Sequence, residues 1–547
     1  MSTSASRTTA GIVALWWAAL TVAVIVIRPA TVADETRYLS VAWHMHQSGD
    51  LLLLRLNGDL YGHKPPLLFW LIELGWRIFG VQLWWPRLVT GAFGLGALYV
   101  VFRLARRLVP GREDVPALAV MITATSLLWI AFAGAVMFDL ALAFFVLLAL
   151  LNVVRASEGA GFRAWALVGI AAGLGILAKG PVSLLHVLPV ALLGPWWAGE
   201  EFRARRLDRG RWYAGVAVAV LVAAAVALAW AIPAAIVGGE AFRTEILWRQ
   251  SAGRIASEGY HARPFWFHLA VLPAILLPWF AFPPFWRGVA SALRERTLPA
   301  TRFVIAWVVP VFLAFSLMKG KQVHYLLPEV AGFALLAAIG IARAGDRAAR
   351  IDKWAVVLGP ALVAAALIAL APRLASIADD TARFGSVVLV LLVFAVVLAA
   401  TKLRTPRALV TAAGSACVAS AITVYVLLGP ALLWSYDLRD FAGAIAAAQQ
   451  RGQPVAHFGV YHGEYQFIGR LAAPLRVVHG PQEALEWARA NPGGALVLRT
   501  ERPQELAGVQ PLASQRYRTG QAFLLRSEDV PAAIEGLTRA GISGPAG

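Results

Sequence analysis

MFDLALAFFVLLALLNVVR, residues 137–155, opens on an acid, Asp139, closes on a base, Arg155, and holds no charged residue between them. A run of about 17–25 apolar residues is what a helix needs to cross a bilayer, because inside hydrocarbon the backbone must satisfy its own hydrogen bonds. The pattern recurs along the chain in about thirteen runs. They centre near Ala19, Ala97, Thr125, Val146, Ala171, Val190, Val222, Ile275, Val309, Leu335, Leu362, Leu392 and Ile422. The first run has no small-residue cleavage site before the acidic loop that follows, so it reads as a retained helix and not a removed signal peptide.

Composition agrees with a chain that lives in lipid. Of 547 residues 59% are hydrophobic and only 15% charged, whereas soluble domains sit near ~45–50% and ~25%. The net charge of +18, from 49 basic and 31 acidic residues, would in a soluble chain suggest nucleic acid. Its distribution suggests topology instead. With the N-terminus assigned to the cytoplasm, every second connection is basic: Arg103, Arg106, Arg107 and Arg112; Arg155 and Arg163; Arg203, Arg205, Arg206, Arg209 and Arg211; Arg287, Arg294, Arg296 and Arg302; Arg343, Arg347, Arg350 and Lys353; Lys402, Arg404 and Arg407. That is the positive-inside pattern, and an odd number of spans puts the C-terminal segment on the opposite, outer side. Beyond Trp434 the 11 arginines and 10 acids nearly cancel, so most of the +18 belongs to the membrane half. No nucleic-acid partner is expected. A single cysteine, Cys417, excludes an intramolecular disulfide and a cysteine metal cluster.

The expected architecture is an α-helical polytopic membrane domain over residues 1–432, with interfacial helices in a first outer loop spanning 28–85, and a small α/β domain outside the membrane over 433–547. In the latter, helix-like stretches (Leu438 to Gln450, Pro481 to Arg489) alternate with β-rich runs (Val455 to Val460, Leu475 to Val478, Ala495 to Leu498, Ala522 to Leu525). In the first outer loop, Glu35 to Gln47 and Leu67 to Phe79 read as amphipathic helices lying on the membrane surface.

That loop holds Asp34-Glu35-Thr36-Arg37-Tyr38 and Tyr61-Gly62-His63-Lys64-Pro65-Pro66. Charges at membrane depth are costly unless used or paired. Helix capping accounts for an isolated Asp34 or Asp139, and snorkelling for an isolated Lys64. The other outer connections nevertheless carry ionisable groups at the membrane edge as well: Asp139; Lys179; Arg249, Arg254, His261 and Arg263; Lys319, Lys321 and His324, next to Tyr325. Two carboxylates among surplus cations suit a phosphate-bearing ligand.

These residues resemble the GT-C lipid-linked-sugar glycosyltransferases, and within them the 4-amino-4-deoxy-L-arabinose lipid A transferases. The resemblance rests on the Asp34 to Tyr38 stretch, Tyr61 to Pro66, Asp139, Lys179-Gly180, His261 to Trp266, Lys319 to Lys321 and Tyr325 to Pro328. It runs from Ala33 to about Pro328, and the Asp-Glu-x-x-Tyr and Lys-Pro-Pro pair is shared with protein O-mannosyltransferase relatives. It implies Asp34, Asp139 and Lys64 as catalytic residues. Lys64, Arg37, Arg254, Arg263 and Tyr325 would bind the donor phosphate, and Glu35, Tyr38, Tyr61, Lys179, Lys319 and Lys321 the substrates. Where the family often has an acid before the lysine of Lys-Pro-Pro, this chain has His63. With His261 and His457 it is a candidate zinc set, although no short metal-ligand spacing is present and the sequence requires no cofactor.

The resemblance further implies a monomeric, multi-pass protein of the bacterial inner membrane. Its partners would be a polyprenyl-phosphate (undecaprenyl-phosphate) sugar and lipid A, or another outer-leaflet acceptor. A hydroxyl acceptor, as in protein O-mannosylation, is the alternative. A lipid transporter or flippase is the competing class, and would place charges near mid-span with internal symmetry; here they cluster at span ends.

Overall fold

The computed structural model describes residues 2–199, 202, 207–247, 262–343, 349–371, 381–506, 508–518 and 520–539. Contacts divide the chain into two compact units. The first comprises Met1–Ile27, Gly62–Leu71 and Trp84–Leu428; the second comprises Arg28–Tyr61, Ile72–Leu83 and Gly429–Gly547.

In chain order the helices are α1 (Ser2–Ile27), α2 (Asp34–Ser48), α3 (Leu67–Phe79), α4 (Trp84–Leu108), α5 (Asp114–Ala124), α6 (Leu127–Phe132), α7 (Asp139–Ser157), α8 (Gly161–Lys179), α9 (Val182–Leu192) and α10 (Gly194–Trp197). They continue with α11 (Arg209–Thr244), α12 (Phe267–Ile275), α13 (Pro283–Arg294), α14 (Pro299–Leu317), α15 (Leu327–Arg343), α16 (Arg350–Leu370), α17 (Thr381–Ala400) and α18 (Pro406–Leu432). Ten helices among the described residues are long and apolar enough to cross a membrane. The fold is that of a polytopic helical membrane protein.

Three of the thirteen apolar runs are broken. The run centred near Thr125 divides into α5 and α6, the one near Val190 into α9 and α10, and the one near Ile275 into α12 and α13 with a 3-10 turn, Trp279–Ala281, between. Pro273, Pro278 and the Pro283-Pro284 pair account for the last break, since proline removes a donor and clashes with the preceding turn. Broken backbone inside a bundle needs other partners. Here the breaks serve each other: Leu127 N–H donates to Leu277 O at 2.7 Å. Thr125 and Ser126 hydroxyls bond back to Met121 O and Ile122 O, and Trp129 Nε1 donates to Leu327 O.

Within this first unit, α7 packs antiparallel beside α8 and also against α4, while α13 lies against α15. The latter pair touches backbone to backbone. A Cβ at Gly340 would sit 1.8 Å from Gly288 O, so only glycine permits the crossing. The helix ends also sort by charge. Asp139 at the start of α7 meets Lys179 at the end of α8. At the other end Arg107 pairs with Glu158, Arg343 with Glu295 and Arg287 with Asp352.

The second unit is built on a mixed five-stranded sheet, order β4-β3-β5-β7-β6. Its strands are β3 (Val455–Phe458), β4 (Arg476–Val478), β5 (Ala495–Thr500), β6 (Ala513–Tyr517) and β7 (Gly520–Arg526). β3 is parallel to both β4 and β5, and β7 runs antiparallel to β5 and β6. Helices α19 (Arg439–Gln450), α20 (Gln466–Gly469), α21 (Pro481–Ala490) and α22 (Val530–Arg539) accompany it. The chain before Tyr61 adds α2 and a small hairpin, β1 (Arg55–Leu56) with β2 (Asp59–Leu60). Ser40 Oγ donates to Gly463 O at 2.6 Å and accepts from Phe467 N–H. Trp43 Nε1 reaches Leu471 O, Asn57 bonds Leu475 and Gln466, and the Trp76 and Phe467 rings stack.

A buried network stiffens this unit. Arg499 donates to Glu464 at 2.8 Å, to Tyr517 Oη at 2.9 Å and to Val460 O at 2.6 Å. His457, fully buried on β3, rests against Tyr461, and burial together with the Arg499 charge pushes its imidazole down to about 4.

Two outcomes follow. Gly340→Ala should overpack the α13–α15 crossing by roughly 1–3 kcal/mol and lower the detergent melting temperature of the full chain, whereas Gly359→Ala, with nothing within 4 Å, should not. Because the folded-state pKa of His457 lies below its unfolded value near 6.5, its stabilising contribution is present above that value and is lost as pH falls toward 4. The protection of the Val455–Phe458 amides, measured against the intrinsic exchange rate at each pH, should fall across this window, and less steeply in His457→Gln.

Candidate functional site

In the first unit the antiparallel α7–α8 hairpin brings Asp139 and Lys179 together, since the start of one helix lies beside the end of the next. Lys179 Nζ is 2.5 Å from Asp139 Oδ1, with the two side chains 8% and 2% exposed. Asp139 does not cap its helix; it occupies the first turn. His324 Nε2 stands 3.9 Å from the same carboxylate oxygen, and the Lys179 ammonium lies 5.4 Å from the centre of the Tyr325 ring. Lys64 lies over the Phe138 ring at 5.7 Å and within electrostatic reach of Asp139. The Phe138 ring is in turn edge-on to Phe69. One buried carboxylate therefore has two ammonium groups and an imidazole around it, with the Tyr325 ring beside Lys179. In a low-dielectric surrounding such a set favours an added anion, because the cations outnumber the acid.

Lys321 is used differently. Its ammonium donates to Arg263 O at 2.9 Å and to Met318 O, and Ala262 bridges Gly320. Arg263 itself packs on Phe267, and its N–H bonds Lys319 O. This makes Lys321 a strut between two loops. His63 lies 3.7 Å from Glu245. Deeper in the bundle His186 and Glu329, both fully buried, pair at 2.6 Å. Arg254 and His261 lie outside the described residues.

In the second unit, the start of α2 holds the other acids. Glu35, 2% exposed, accepts from the Thr31 hydroxyl at 2.5 Å and from Thr31 N–H at 3.0 Å, and pairs with Arg28 at 3.3 Å. It closes the turn that leads into α2. Asp34 is half exposed, 3.5 Å from Arg37 and 3.3 Å from Tyr38 Oη. It too lies in the first turn without capping. His462 feels both Asp34 and Arg37, and burial holds its imidazole below the ordinary range. His462 N–H donates to Glu464, and Gly463 accepts from Ser40, so the buried Arg499 network is bonded to the segment that carries Asp34. Tyr61 is buried, and its N–H bonds Leu54 O.

The sequence did not point to Arg28, Thr31, Glu464, Arg499 or Tyr517, because their partners lie far along the chain or carry no motif. The Asp139–Lys179 pair did have a signal: consecutive antiparallel helices place the start of one and the end of the next at the same level. Among the described residues no group of three or more His, Cys, Asp or Glu is arranged to hold a metal ion. His457 is enclosed by tyrosine rings, with its Nδ1 3.3 Å from Gly459 O.

Residues 63–230 match the family described as dolichyl-phosphate-mannose-protein mannosyltransferase. The chain is 31% identical over 347 residues to the undecaprenyl phosphate-alpha-4-amino-4-deoxy-L-arabinose arabinosyl transferase of Pseudomonas paraeruginosa, a match that covers 62% of this chain and 61% of the relative. A relative of the same description from Sodalis glossinidius is 33% identical over 322 residues, covering 56% and 54%. The aligned region thus spans about three-fifths or less of these relatives' length. Among solved structures, ArnT from Cupriavidus metallidurans bound to undecaprenyl phosphate superposes with a TM-score of 0.69 at 20% identity, covering 95% of this chain and 97% of that one. The apo oligosaccharyltransferase of Archaeoglobus fulgidus reaches 0.52 at 13% identity, covering 91% and 70%. The chain therefore shares the fold of these two solved structures, and over about three-fifths of its length it is similar in sequence to the arabinosyl transferases.

Proposed function

We propose that the protein is a membrane glycosyltransferase that takes its sugar from a polyprenyl-phosphate carrier. It works at the outer face of the bacterial inner membrane, with the N-terminus cytoplasmic and the second unit periplasmic. In the finer reading, the sugar is 4-amino-4-deoxy-L-arabinose, the carrier is undecaprenyl phosphate and the acceptor is a lipid A phosphate. The observation that carries the reading is the cation-rich end of the first unit, where Lys179, Lys64, His324 and Tyr325 gather around buried Asp139. The descriptions of the Pseudomonas and Sodalis relatives support the choice of sugar and carrier. The pairing of Arg107, Arg287 and Arg343 at the opposite helix ends supports the orientation.

The chemistry is a displacement at the anomeric carbon. The bond from that carbon to the carrier phosphate breaks, its electron pair stays on the phosphate oxygen, and an acceptor oxygen bonds in its place. The departing phosphate becomes a dianion in a place with little water. Lys64 is the cation assigned to it, because a charge-assisted hydrogen bond strengthens as that charge develops. Lys179 is held by Asp139 and aims its ammonium past the Tyr325 ring, so Asp139 acts by orienting a cation. A phosphate acceptor is already ionised at neutral pH and needs no base. Asp34, half exposed, then serves best as a partner for the sugar's 4-ammonium. With a hydroxyl acceptor, Asp34 would have to remove a proton during attack.

Lys64→Ala should lower transfer in membranes by about 10²–10³-fold with expression retained, the scale of losing one donor to a developing oxyanion; near-normal activity would remove the assigned phosphate site. Mass spectrometry of lipid A from cells with and without the protein should show an added amino-pentose on phosphate. An unchanged lipid A beside a newly glycosylated protein would instead establish the hydroxyl-acceptor reading.

A further inference from the structure

At the end of the first unit opposite the Asp139–Lys179 pair, the last turns of α4 open onto a cavity of about 700 Å³. It is lined by Tyr99, Phe102, Arg103, Arg106, Arg107 and Glu158. Three guanidinium groups thus face one carboxylate, which Arg107 already engages. Arg103 donates to the Tyr99 hydroxyl at 2.7 Å and lies 5.7 Å from its ring, so its guanidinium is braced. Arg106 is exposed and, among the described residues, makes no hydrogen bond or ion pair.

Topogenic charge needs only a basic loop. It does not need a braced arginine, a second arginine left unengaged, and a cavity of a size that holds a small ligand. The helix surface beside the cavity adds a second observation. Leu88, Ala92, Leu95, Tyr99, Arg103 and Arg106 fall on one stripe of α4 at helical spacing. Along it Leu88 is 40%, Leu95 41% and Tyr99 59% exposed. The stripe is apolar along the helix and becomes cationic at its end, the shape of an amphiphile with a phosphate head.

We infer that the cavity at the end of α4 binds a phosphate monoanion, supplied by the headgroup of an anionic glycerophospholipid whose acyl chain lies along Leu95, Tyr99 and Leu88. Arg106 and Arg103 hold the phosphate by charge-assisted hydrogen bonds, and Tyr99 sets Arg103 in place. The site lies at the other end of the bundle from the groups assigned to transfer, so it anchors the bundle without taking part in the reaction.

The test is native mass spectrometry of the full-length protein released from nanodiscs of equal phosphatidylglycerol and phosphatidylcholine. The wild type should retain phosphatidylglycerol preferentially. Arg106→Gln and Arg103→Gln should each weaken retention about tenfold, as expected for the loss of one charge-assisted hydrogen bond. Arg302→Gln removes an equal charge where the guanidinium packs on Trp196, outside this cavity, and should leave retention unchanged. Inorganic phosphate at millimolar concentration should not displace the lipid. If it does so in the wild type but not in Arg106→Gln, the cavity is still a phosphate site but its source is free anion. Equal retention of the two lipids, or equal losses in Arg302→Gln and Arg106→Gln, would overturn the inference and leave only general charge attraction. A tryptophan-fluorescence melt of each variant separates loss of the site from loss of fold.

Discussion

A charge removed from water must find its opposite nearby, and at the candidate site the Asp139–Lys179 contact meets that demand. Both side chains are nearly out of solvent, so removing Asp139 would leave the Lys179 ammonium buried without its carboxylate, at a cost of about 3–5 kcal/mol. The contact fixes the relation between the start of α7 and the end of α8. It also sets the direction of the Lys179 ammonium toward Tyr325. Every proposed step at the phosphate depends on that direction being held.

The broken helices serve the same end. Prolines interrupt the run near Ile275, and the freed Leu277 carbonyl accepts from Leu127, where a second run is interrupted. Trp129 then ties α6 to the beginning of α15, immediately after His324 and Tyr325. Irregular backbone inside the bundle is thus bonded internally. In the second unit the equivalent role falls to Arg499 and Glu464, whose bonds run through His462 and Gly463 to α2 and so to Asp34.

Much of this was legible in the sequence because lipid imposes a strong length and hydropathy rule. All thirteen apolar runs are helical, and Leu67–Phe79 has the bounds read from periodicity. The three breaks were hidden because hydropathy averages over a proline or a Ser-Leu step. In the second unit, β6 escaped notice because Ser514, Gln515 and Arg516 make it a polar edge strand with no apolar run. The capping explanation for Asp34 and Asp139 does not hold, since both sit inside the first turn with other partners. Glu35 looked like a substrate ligand in its motif, yet Thr31 and Arg28 occupy it, and those contacts form across a turn that has no sequence signature. Lys321 likewise reads as a loop cation, and only the approach of the Arg263 carbonyl shows it to be a brace.

In the proposed reaction the Lys64, Asp139 and Lys179 end of the first unit receives the carrier phosphate. A cryo-electron microscopy structure of the full-length protein with undecaprenyl phosphate tests it most directly. Phosphate density should lie within hydrogen-bonding distance of Lys64 Nζ, on the Tyr325 side of Lys179. A well-resolved lipid phosphate bound elsewhere, with Lys64 and Lys179 bare, would contradict it.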